Sequence, residues 1–160
     1  MALFIGEFET TIDGKHRLAI SSEFRQQIVP EQDGESFILT LGADRHLWLY
    51  PDAYYRRLLG TLRRSPLPTR QGGKLTMFFG MARLVKPDAQ GRIVLPEKSM
   101  SRSAVAEKVT LVGSDDHVEI WPSEEWERHV QAAIPGYGET LYEVSDRLNA
   151  ERDEPTQERK

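Results

Sequence analysis

Alternating apolar and polar residues open each half of the chain. Phe8, Thr10 and Ile12 alternate with polar or charged neighbours, and this period of two predicts a half-exposed strand that runs into a turn. A short apolar run at 18–20 then predicts the return strand of a hairpin. A helix and two further strands are expected after it, and the second half of the chain predicts the same succession.

Helical periodicity follows the strands in both halves. A short helix should bury Phe24 and Ile28 on one face and end at Pro30, which leaves residues 31–34 as a loop. Three later helices are expected, the first with its apolar residues facing inward and the other two with apolar residues along one side. These residues are Tyr55, Leu58, Leu59 and Leu62 in the first helix, Trp126, Val130, Ala133 and Ile134 in the second, and Leu141, Val144 and Leu148 in the last.

A motif in the first half of the chain returns in the second. The sequence DGKHRLAIS at 13–21 reappears as DAQGRIVLP at 88–96, and each copy has an aspartate, three turn-type residues, an arginine and three apolar residues. Aspartate accepts hydrogen bonds from nearby backbone N–H groups, and glycine adopts dihedral angles closed to other residues, so each copy predicts a tight turn. The arginine either pins the turn through the aspartate or presents its guanidinium at the tip. Similar segments at 37–51 and 108–122 complete a tandem of two modules.

Composition excludes several classes of protein. The chain has 160 residues and no cysteine, which excludes disulfide bonds and cysteine-bound zinc and fits a reducing cytoplasm. The N-terminus lacks the basic and apolar regions of a signal peptide, and no apolar run approaches membrane-spanning length, so no membrane partner is expected. A module of about fifty residues buries little apolar surface alone, so the two modules should share one core or use partner chains.

The net charge of −4 conceals two segments of opposite charge. Every charged residue between Tyr54 and Pro87 is basic, whereas acidic residues predominate after Gly138. Local patches decide phosphate binding, so the net charge does not exclude a DNA partner. The basic stretch Arg56–Arg64 could be a solvated face, or it could contact DNA or an acidic neighbouring subunit. The charged residues after Ala150 predict a disordered tail.

Other candidate chemical sites have little support in the sequence. Asp44 and His46, and likewise Asp115 and His117, lie in predicted hairpin turns without the further ligands that a metal site needs. The Gly-Gly-Lys segment at 72–74 lacks the spacing of a phosphate-binding loop. With no nucleophile motif and no recurring acid–base pair outside turns, the sequence predicts no enzyme activity, no cofactor and no small-molecule substrate.

The paired Asp-x-x-x-Arg turns, the run GRIVLP at 91–96 and the two-module layout closely resemble the MraZ family of bacterial transcriptional regulators. The modules of that family are similar to the AbrB/SpoVT class of DNA-binding domains. The resemblance implies an α+β, β-rich fold in which two modules form a swapped-hairpin barrel with trailing helices. It implies modules at 7–54 and 83–126, a basic helical connector at 55–82, and C-terminal helices with an acidic tail at 127–160.

The same resemblance implies a function and an assembly. The protein would be a ring-shaped homo-oligomer that binds double-stranded DNA at short direct repeats upstream of the division and cell-wall gene cluster. It would act in the cytoplasm and associate with the nucleoid. These expectations describe a sequence-specific regulator of transcription.

The resemblance also assigns roles to residues of the two turns. The first motif of the family usually reads Asp-x-Lys-Gly-Arg, and Lys15 and Arg17 match it, whereas His16 stands where glycine is usual. Arginine matches guanine O6 and N7, and lysine suits phosphate or base, so Lys15, His16 and Arg17 are the implied DNA-binding residues. Gly14 is expected to supply the flexibility that His16 lacks. The second turn has Gln90 in place of the lysine and is interpreted as structural. The residues assigned to turn structure are Asp13, Gly14, Asp88, Gly91 and Arg92.

An alternative function exists within the same class of fold. An antitoxin-like protein would bind a toxin partner through its C-terminal segment, and the acidic tail and last helix fit that role. Antitoxins of this class usually carry one module per chain, whereas this chain has two. The sequence therefore favours the DNA-binding regulator.

Overall fold

The computed structural model describes residues 1–62 and 67–153 and is an α+β, β-rich structure. The chain divides into two compact units, Met1–Ser123 and Glu124–Lys160. The strands of the first unit are β1 (Glu7–Thr11), β2 (Arg17–Ala19), β3 (Phe37–Leu41), β4 (Leu47–Pro51), β5 (Arg83–Val85), β6 (Arg92–Val94), β7 (Lys108–Ser114) and β8 (His117–Pro122). Its helices are α1 (Ser22–Gln26), α2 (Pro30–Asp33), α3 (Asp52–Leu58), α4 (Gly72–Gly80) and α5 (Glu97–Arg102), and a 3₁₀ turn, Leu59–Thr61, follows α3.

Each module contributes strands to the other module's half of the sheet. Within the described residues, six strands form one antiparallel sheet in the order β1-β7-β8-β4-β3-β5, and β2 pairs with β6 in a separate antiparallel ribbon. Phe8 of β1 lies opposite Leu111 of β7, and Leu84 of β5 lies opposite Ile38 of β3. If β1–β4 are exchanged with β5–β8, the strand order of the sheet is unchanged except that it runs from the opposite edge. The pairing scheme therefore has two-fold symmetry.

The strands around each turn do not form the simple hairpin that the sequence predicts. β1 and β2 flank the first turn, yet β1 pairs with β7 and β2 pairs with β6, both from the second module. This exchange places Leu18 opposite Ile93, and both side chains are fully buried. The physical reason is that neither small module has enough apolar surface to cover its own core. The described strands form an open sheet and a separate ribbon rather than a closed barrel.

One apolar core is shared by both modules. Phe4 and Phe24 meet edge to face within it, with ring centroids 5.7 Å apart. Complete burial of a leucine or isoleucine side chain contributes roughly 1.5–3 kcal/mol, so residues from both modules stabilise the same structure. The fully buried aliphatic residues include Leu18, Leu39, Leu47 and Leu49 from the first module and Ile93, Leu95, Val109, Leu111 and Ile120 from the second.

Two predictions for helices are wrong in the structure. The predicted loop at 31–34 belongs largely to α2, because Pro30 occupies the first turn of that helix, where its missing N–H is not needed. Leu58 and Leu62 are exposed rather than inward-facing, whereas Tyr55 on the same predicted face is buried. Leu62 lies beyond α3, which ends at Leu58 and continues as a 3₁₀ turn, so the α-helical register that would place Leu62 on the face of Tyr55 is lost.

The second unit is helical over its described residues. It comprises α6 (Ser123–Ala133), which begins at the last residue of the first unit, a 3₁₀ turn (Ile134–Gly136), and α7 (Tyr137–Asp153). On α6, Trp126 and Val130 of the predicted apolar stripe are half-buried. None of the helices in the described part of the chain combines the length and apolar character needed to cross a membrane.

The last helix has its predicted apolar residues on the surface and extends further than predicted. Leu141, Val144 and Leu148 share one side of α7 by their spacing, yet each is at least half exposed. The helix also continues through Asp153, so the disorder predicted after Ala150 is wrong for residues 151–153. Residues 154–160 lie outside the described part of the chain.

Candidate nucleic-acid interface

The first turn, residues 13–17, is held by one carboxylate. Oδ1 of Asp13 accepts hydrogen bonds from the backbone N–H groups of Lys15 and Arg17, both at 2.9 Å. Oδ2 of Asp13 accepts from Nε of Arg17 at 2.6 Å, which makes an ion pair. The backbone closes the same turn, because the Asp13 N–H donates to the carbonyl of Arg17 and the His16 N–H donates to the carbonyl of Asp13. Of the two roles open to Arg17, fastening the turn is therefore present in the structure.

The second turn, residues 88–92, repeats this arrangement bond for bond. Oδ1 of Asp88 accepts from the N–H groups of Gln90 at 2.9 Å and Arg92 at 3.0 Å, and Oδ2 accepts from Nε of Arg92 at 2.9 Å. Both Arg17 and Arg92 use Nε for this contact, and their Nη atoms have no hydrogen-bond partner among the described residues. Both arginines therefore keep donors that could meet a phosphate or a base.

The same hydrogen bonds keep both carboxylates ionised. The backbone N–H of Arg17 is the largest cause that lowers the pKa of Asp13 to about 2, and the Arg17 guanidinium and the Lys15 N–H add to it against a partial desolvation. The pKa of Asp88 is also lowered, chiefly by the backbone N–H of Arg92. Both aspartates are therefore negatively charged at neutral pH. They orient the arginines and offset part of the positive charge of each turn.

Different residues adopt the left-handed backbone conformation that both turns require. His16 has a φ of 60°, and Gly91, at the same position of the second motif, has a φ of 76°. Gly14 does not take over this conformation, contrary to the expectation, because the aspartate bonds fix which position of the turn must be left-handed. A residue with a side chain pays roughly 1–2 kcal/mol for that conformation. His16 therefore occupies a position where glycine would be more stable locally.

The ribbon of β2 and β6 displays the two arginines on one face. Arg17 lies opposite Val94, and Arg92 lies opposite Ala19, and residues directly opposite each other point to the same side of a ribbon. Ala19 and Val94 are exposed, whereas the residues between these positions are buried in the core. One side of the ribbon is therefore core and the other is an accessible surface that carries both arginines.

Each turn is also tied to the strand of the other module. The carbonyl of His16 accepts from the N–H of Leu95 at 2.8 Å, and the carbonyl of Gly91 accepts from the N–H of Ile20 at 2.9 Å. These two bonds extend the ribbon at both ends. They fix the position of each turn relative to the other, and the two bonds are related by the two-fold symmetry of the strand pairing.

The outward-facing side chains distinguish the two turns. Lys15 and His16 are both exposed in the first turn, whereas the second has an exposed, uncharged Gln90 and a buried Gly91. One further neighbour of the second turn, Arg25 of α1, has no signal in the sequence pattern. A β-carbon built on Gly91 would lie 2.5 Å from Nε and 2.6 Å from Cζ of Arg25, so this guanidinium lies against the second turn. The first module thus supplies a cation to the turn of the second.

A second polar cluster, which the sequence did not predict, lies around β8. Nδ1 of His117 is 2.7 Å from Oδ1 of Asp116, and Nε2 is 3.1 Å from Oε2 of Glu119. Nε1 of Trp121 donates to Oε1 of Glu119 at 3.0 Å, and the hydroxyl of Tyr54 donates to Oδ2 of Asp116 at 2.6 Å. The last contact connects the turn between β7 and β8 to α3. The cluster therefore links elements of the two modules.

Charge and burial indicate that this cluster is structural. Burial alone would lower the pKa of His117, but its hydrogen bonds to Glu119 and Asp116 outweigh that effect and raise the pKa. The imidazole also packs against two aromatic rings, 4.4 Å from Trp48 and 4.9 Å from Tyr50 by ring centroids. Within residues 1–62 and 67–153, no three His, Asp or Glu side chains, this cluster included, are arranged so that they could hold a metal ion.

Comparison with known proteins gives the family. A family model described as "MraZ protein, putative antitoxin-like" matches residues 3–71 and 78–135, more than half of the chain. The transcriptional regulator MraZ of Clostridium tetani is 35% identical over 133 residues, which cover 82% of this chain and 90% of that protein. Proteins of the same name from Heliobacterium modesticaldum and Desulforamulus reducens are each 32% identical, over 90% and 91% of this chain and 98% and 100% of their own lengths. The chain belongs to the MraZ family, which is a family of transcriptional regulators rather than of enzymes.

Proposed function

We propose that this chain is a DNA-binding transcriptional regulator that reads DNA with Lys15, His16 and Arg17. The observation that carries the proposal is the exposed ribbon of β2 and β6, which joins two carboxylate-fastened turns. A two-stranded ribbon fits the major groove of B-form DNA, where each base pair shows a distinct pattern of donors and acceptors. The regulator name carried by the relatives supports the same function.

Arg17 is the proposed base-reading residue. Asp13 holds its Nε, which leaves the Nη groups for O6 and N7 of a guanine. A side chain that is already fixed loses less conformational entropy on binding, and this offsets part of the attraction that the carboxylate removes. Lys15 and His16 are exposed in the same turn and are proposed to contact phosphate or base beside it.

The second turn is proposed to take the smaller share of base recognition. Gln90 carries no charge where the first turn has Lys15, and Gly91 offers no side chain where the first turn has His16. Arg92 has the same contact with Asp88 that Arg17 has with Asp13. It is proposed mainly to fix its turn, because the residues beside it within the turn add no charge that would attract DNA.

Exposed apolar residues support self-association of the chain. Met77, Phe78 and Phe79 are exposed on α4, and Leu84 is exposed on the edge strand β5. The apolar stripe of α7 is a second such surface. Large contiguous apolar patches on a soluble chain commonly mark interaction sites. The protein is therefore proposed to be a homo-oligomer, and a ring follows if neighbouring copies use unlike surfaces and the rotation closes.

Charge supports the same arrangement. Arg56 and Arg57 lie exposed on α3 within the basic segment, and Arg63 and Arg64 lie outside the described residues. Most of the acidic residues that follow Gly138 lie on α7, among them Glu139 and Glu143. Opposite charges on two separate surfaces favour contact between unlike surfaces of neighbouring copies.

Ring symmetry determines the form of the proposed operator. Neighbouring copies in a ring present their first turns in the same sense, so the DNA should carry direct repeats, whereas a two-fold dimer would read an inverted repeat. Repeats on one face of the duplex should recur about every 10 base pairs. The proposed targets are repeats upstream of the division and cell-wall gene cluster, which the resemblance implies.

A footprint on the DNA upstream of the protein's own gene tests the proposal. Protection of several direct repeats is the expected result. Operators with one to four repeats should then bind with increasing affinity, because linked contacts raise the effective concentration. An operator whose spacing is shifted by half a helical turn is the matched control and should lose that gain. Protection of a palindrome, or equal affinity across the series, would contradict the ring.

The exposed stripe of α7 also fits the antitoxin-like alternative. A toxin partner would cover Leu141, Val144 and Leu148 in the way that a second copy would. Purification of the untagged protein from its natural cells, followed by mass spectrometry of the intact complex, separates the two. A complex made of this chain alone supports the regulator, whereas a stoichiometric small protein together with no footprint supports the antitoxin.

A further inference from the structure

The second turn has a cationic neighbour that the motif does not contain. Nε of Arg25 donates to the carbonyl of Ile20 at 3.0 Å, and this bond helps to hold the guanidinium against Gly91. The Nη atoms of Arg25 have no hydrogen-bond partner within the described residues, and the residue as a whole is exposed. The guanidinium is thus fixed in position while two of its nitrogen atoms remain accessible.

The absence of a side chain at Gly91 is what makes room for this contact. A β-carbon there would lie within 2.5–2.8 Å of three atoms of Arg25, which is too close for any real contact. At the first turn the residue equivalent to Arg25 is Met100, which packs against the apolar core. The two turns therefore obtain their second cation from different places, the first from Lys15 within the turn and the second from Arg25 on α1.

The formal charges of the two turns become equal when Arg25 is included. Asp13, Lys15 and Arg17 sum to one positive charge, and the second turn with Arg25 has the same excess of one cation over its aspartate. Glu23 on the same short helix is negatively charged and would repel a phosphate. Its carboxylate accepts hydrogen bonds from Ser21 at 2.6 Å and Ser22 at 3.2 Å, but these neutral hydroxyls do not cancel its charge. Arg25 can therefore attract only a phosphate that lies close to its own guanidinium.

We propose that Arg25 is a phosphate-contact residue that anchors the second turn on the DNA backbone. The inference rests on the proposed function and extends it to a residue outside both motifs. A ribbon in the major groove has a phosphate backbone on each side, and residues that flank the ribbon meet phosphates rather than base edges. Arg25 flanks the ribbon next to Gly91, so the first turn reads bases while the second, through Arg25, holds the register.

The test compares full-length wild type with the variants R25Q, R25K and K98Q. Each protein is titrated by fluorescence anisotropy with the footprinted duplex and with an unrelated duplex of equal length, over a range of salt concentrations. Lys98 is the matched control, because it is a basic residue on the equivalent helix α5 and lines a small pocket with Met81 and Arg83 rather than covering a turn. Thermal unfolding of each variant checks whether the fold has changed.

The expected result is a loss that does not depend on sequence. R25Q should weaken binding to both duplexes by the same factor and lower the slope of log affinity against log salt by about 0.9 for each engaged subunit. The ratio of wild-type to variant affinity should then shrink roughly threefold per engaged subunit between about 50 and about 200 mM salt. R25K should recover most of the slope, and K98Q should leave it unchanged.

Three outcomes would overturn the inference. An unchanged slope in R25Q, with wild type still binding the operator, would show that Arg25 does not contact DNA while the proposed function stands. A lower unfolding temperature in both R25Q and R25K, with no recovery of the slope by lysine, would show that Arg25 only supports Gly91. Failure of the wild type to bind either duplex would instead remove the proposed function and this inference with it.

Discussion

The turns at 13–17 and 88–92 have the same skeleton and different surfaces. In each, an aspartate accepts two backbone N–H groups and the Nε of an arginine, and the left-handed residue lies three places after the aspartate. The side chains that face outward differ, because the first turn has Lys15 and His16 where the second has Gln90 and Gly91. The bonds that define the turn therefore leave the side chains at its three middle positions free to differ.

This difference separates what the motif builds from what it contacts. An arginine held by its aspartate is needed for the geometry of both copies, so its presence does not by itself indicate DNA contact. Lys15 makes no side-chain bond within the turn, since Asp13 accepts only its backbone N–H. The more informative residues are therefore the exposed ones that the turn does not need.

Removal of Arg17 should have the largest effect on function. Loss of one base contact costs about 1–3 kcal/mol per site, and the loss multiplies when several subunits bind together, so R17A should abolish specific binding. R92A is the matched control, because it removes the same ion pair from the other turn. Binding to the footprinted duplex is measured by anisotropy, and the oligomer is followed by light scattering.

Two results would contradict the proposed difference between Arg17 and Arg92. Equal losses of specific binding in R17A and R92A would show that both turns read bases. A shift of R17A to a smaller species, or a lower unfolding temperature than R92A, would show that fastening the first turn is the main role of Arg17.

An exchange of Lys15 and Gln90 should move a positive charge from the first turn to the second. Its effect on DNA binding should be smaller than that of removing Arg17. K15Q should lower the salt slope of DNA binding by about 0.9 per engaged subunit, and Q90K should raise it by a similar amount if the second turn lies near phosphate. The double variant should return the slope towards that of wild type. A double variant that stays as weak as K15Q would show that Lys15 reads a base rather than a phosphate.

The sequence indicates the local structure of the turns but not their partners. A period of two before the turn and the aspartate within it are local signals, and both turns form where they are predicted. The pairing of β1 with β7 joins residues about a hundred positions apart, and a local pattern does not identify such a partner. The resemblance implied an exchange of strands, which periodicity alone did not.

The limits of the site prediction have the same cause. Arg25 reaches Gly91 from another module, so no motif contains both. The left-handed conformation of His16 was not predicted, because the motif has a glycine at position 14 and the aspartate bonds that select position 16 form only in the folded turn. A helix at Pro30 could have been predicted, since proline is favoured in a first helical turn.

Substitution of the left-handed residue should change the free energy of unfolding by different amounts in the two turns. G91A places a β-carbon at a φ of 76° and against Arg25, so it should destabilise the protein by about 1–2 kcal/mol or more. H16G removes a strained residue but gives the unfolded chain more freedom, so these effects should nearly cancel. Urea denaturation measures both variants. A G91A variant as stable as wild type would show that the turn relaxes around the added carbon.

Acid titration gives the smallest effect and tests whether the two aspartates are equivalent. The pKa of Asp13 falls from 3.8 to about 2 on folding, so the unfolded chain binds a proton more readily between these values. Stability from this group is therefore fully present above about pH 4 and is lost as the pH falls through about 2. D13N should flatten the dependence of the unfolding free energy on pH within that window, and D88N should act in the same direction because the pKa of Asp88 is also lowered. Urea denaturation at a series of acidic pH values measures the slopes.

At neutral pH, D13N should also change DNA binding. It should raise the affinity for unrelated DNA, because a negative charge is lost, and lower the preference for the operator, because Arg17 loses its orientation. A D13N variant with the acid slope and the operator preference of wild type would show that the carboxylate neither stabilises the turn nor orients the arginine.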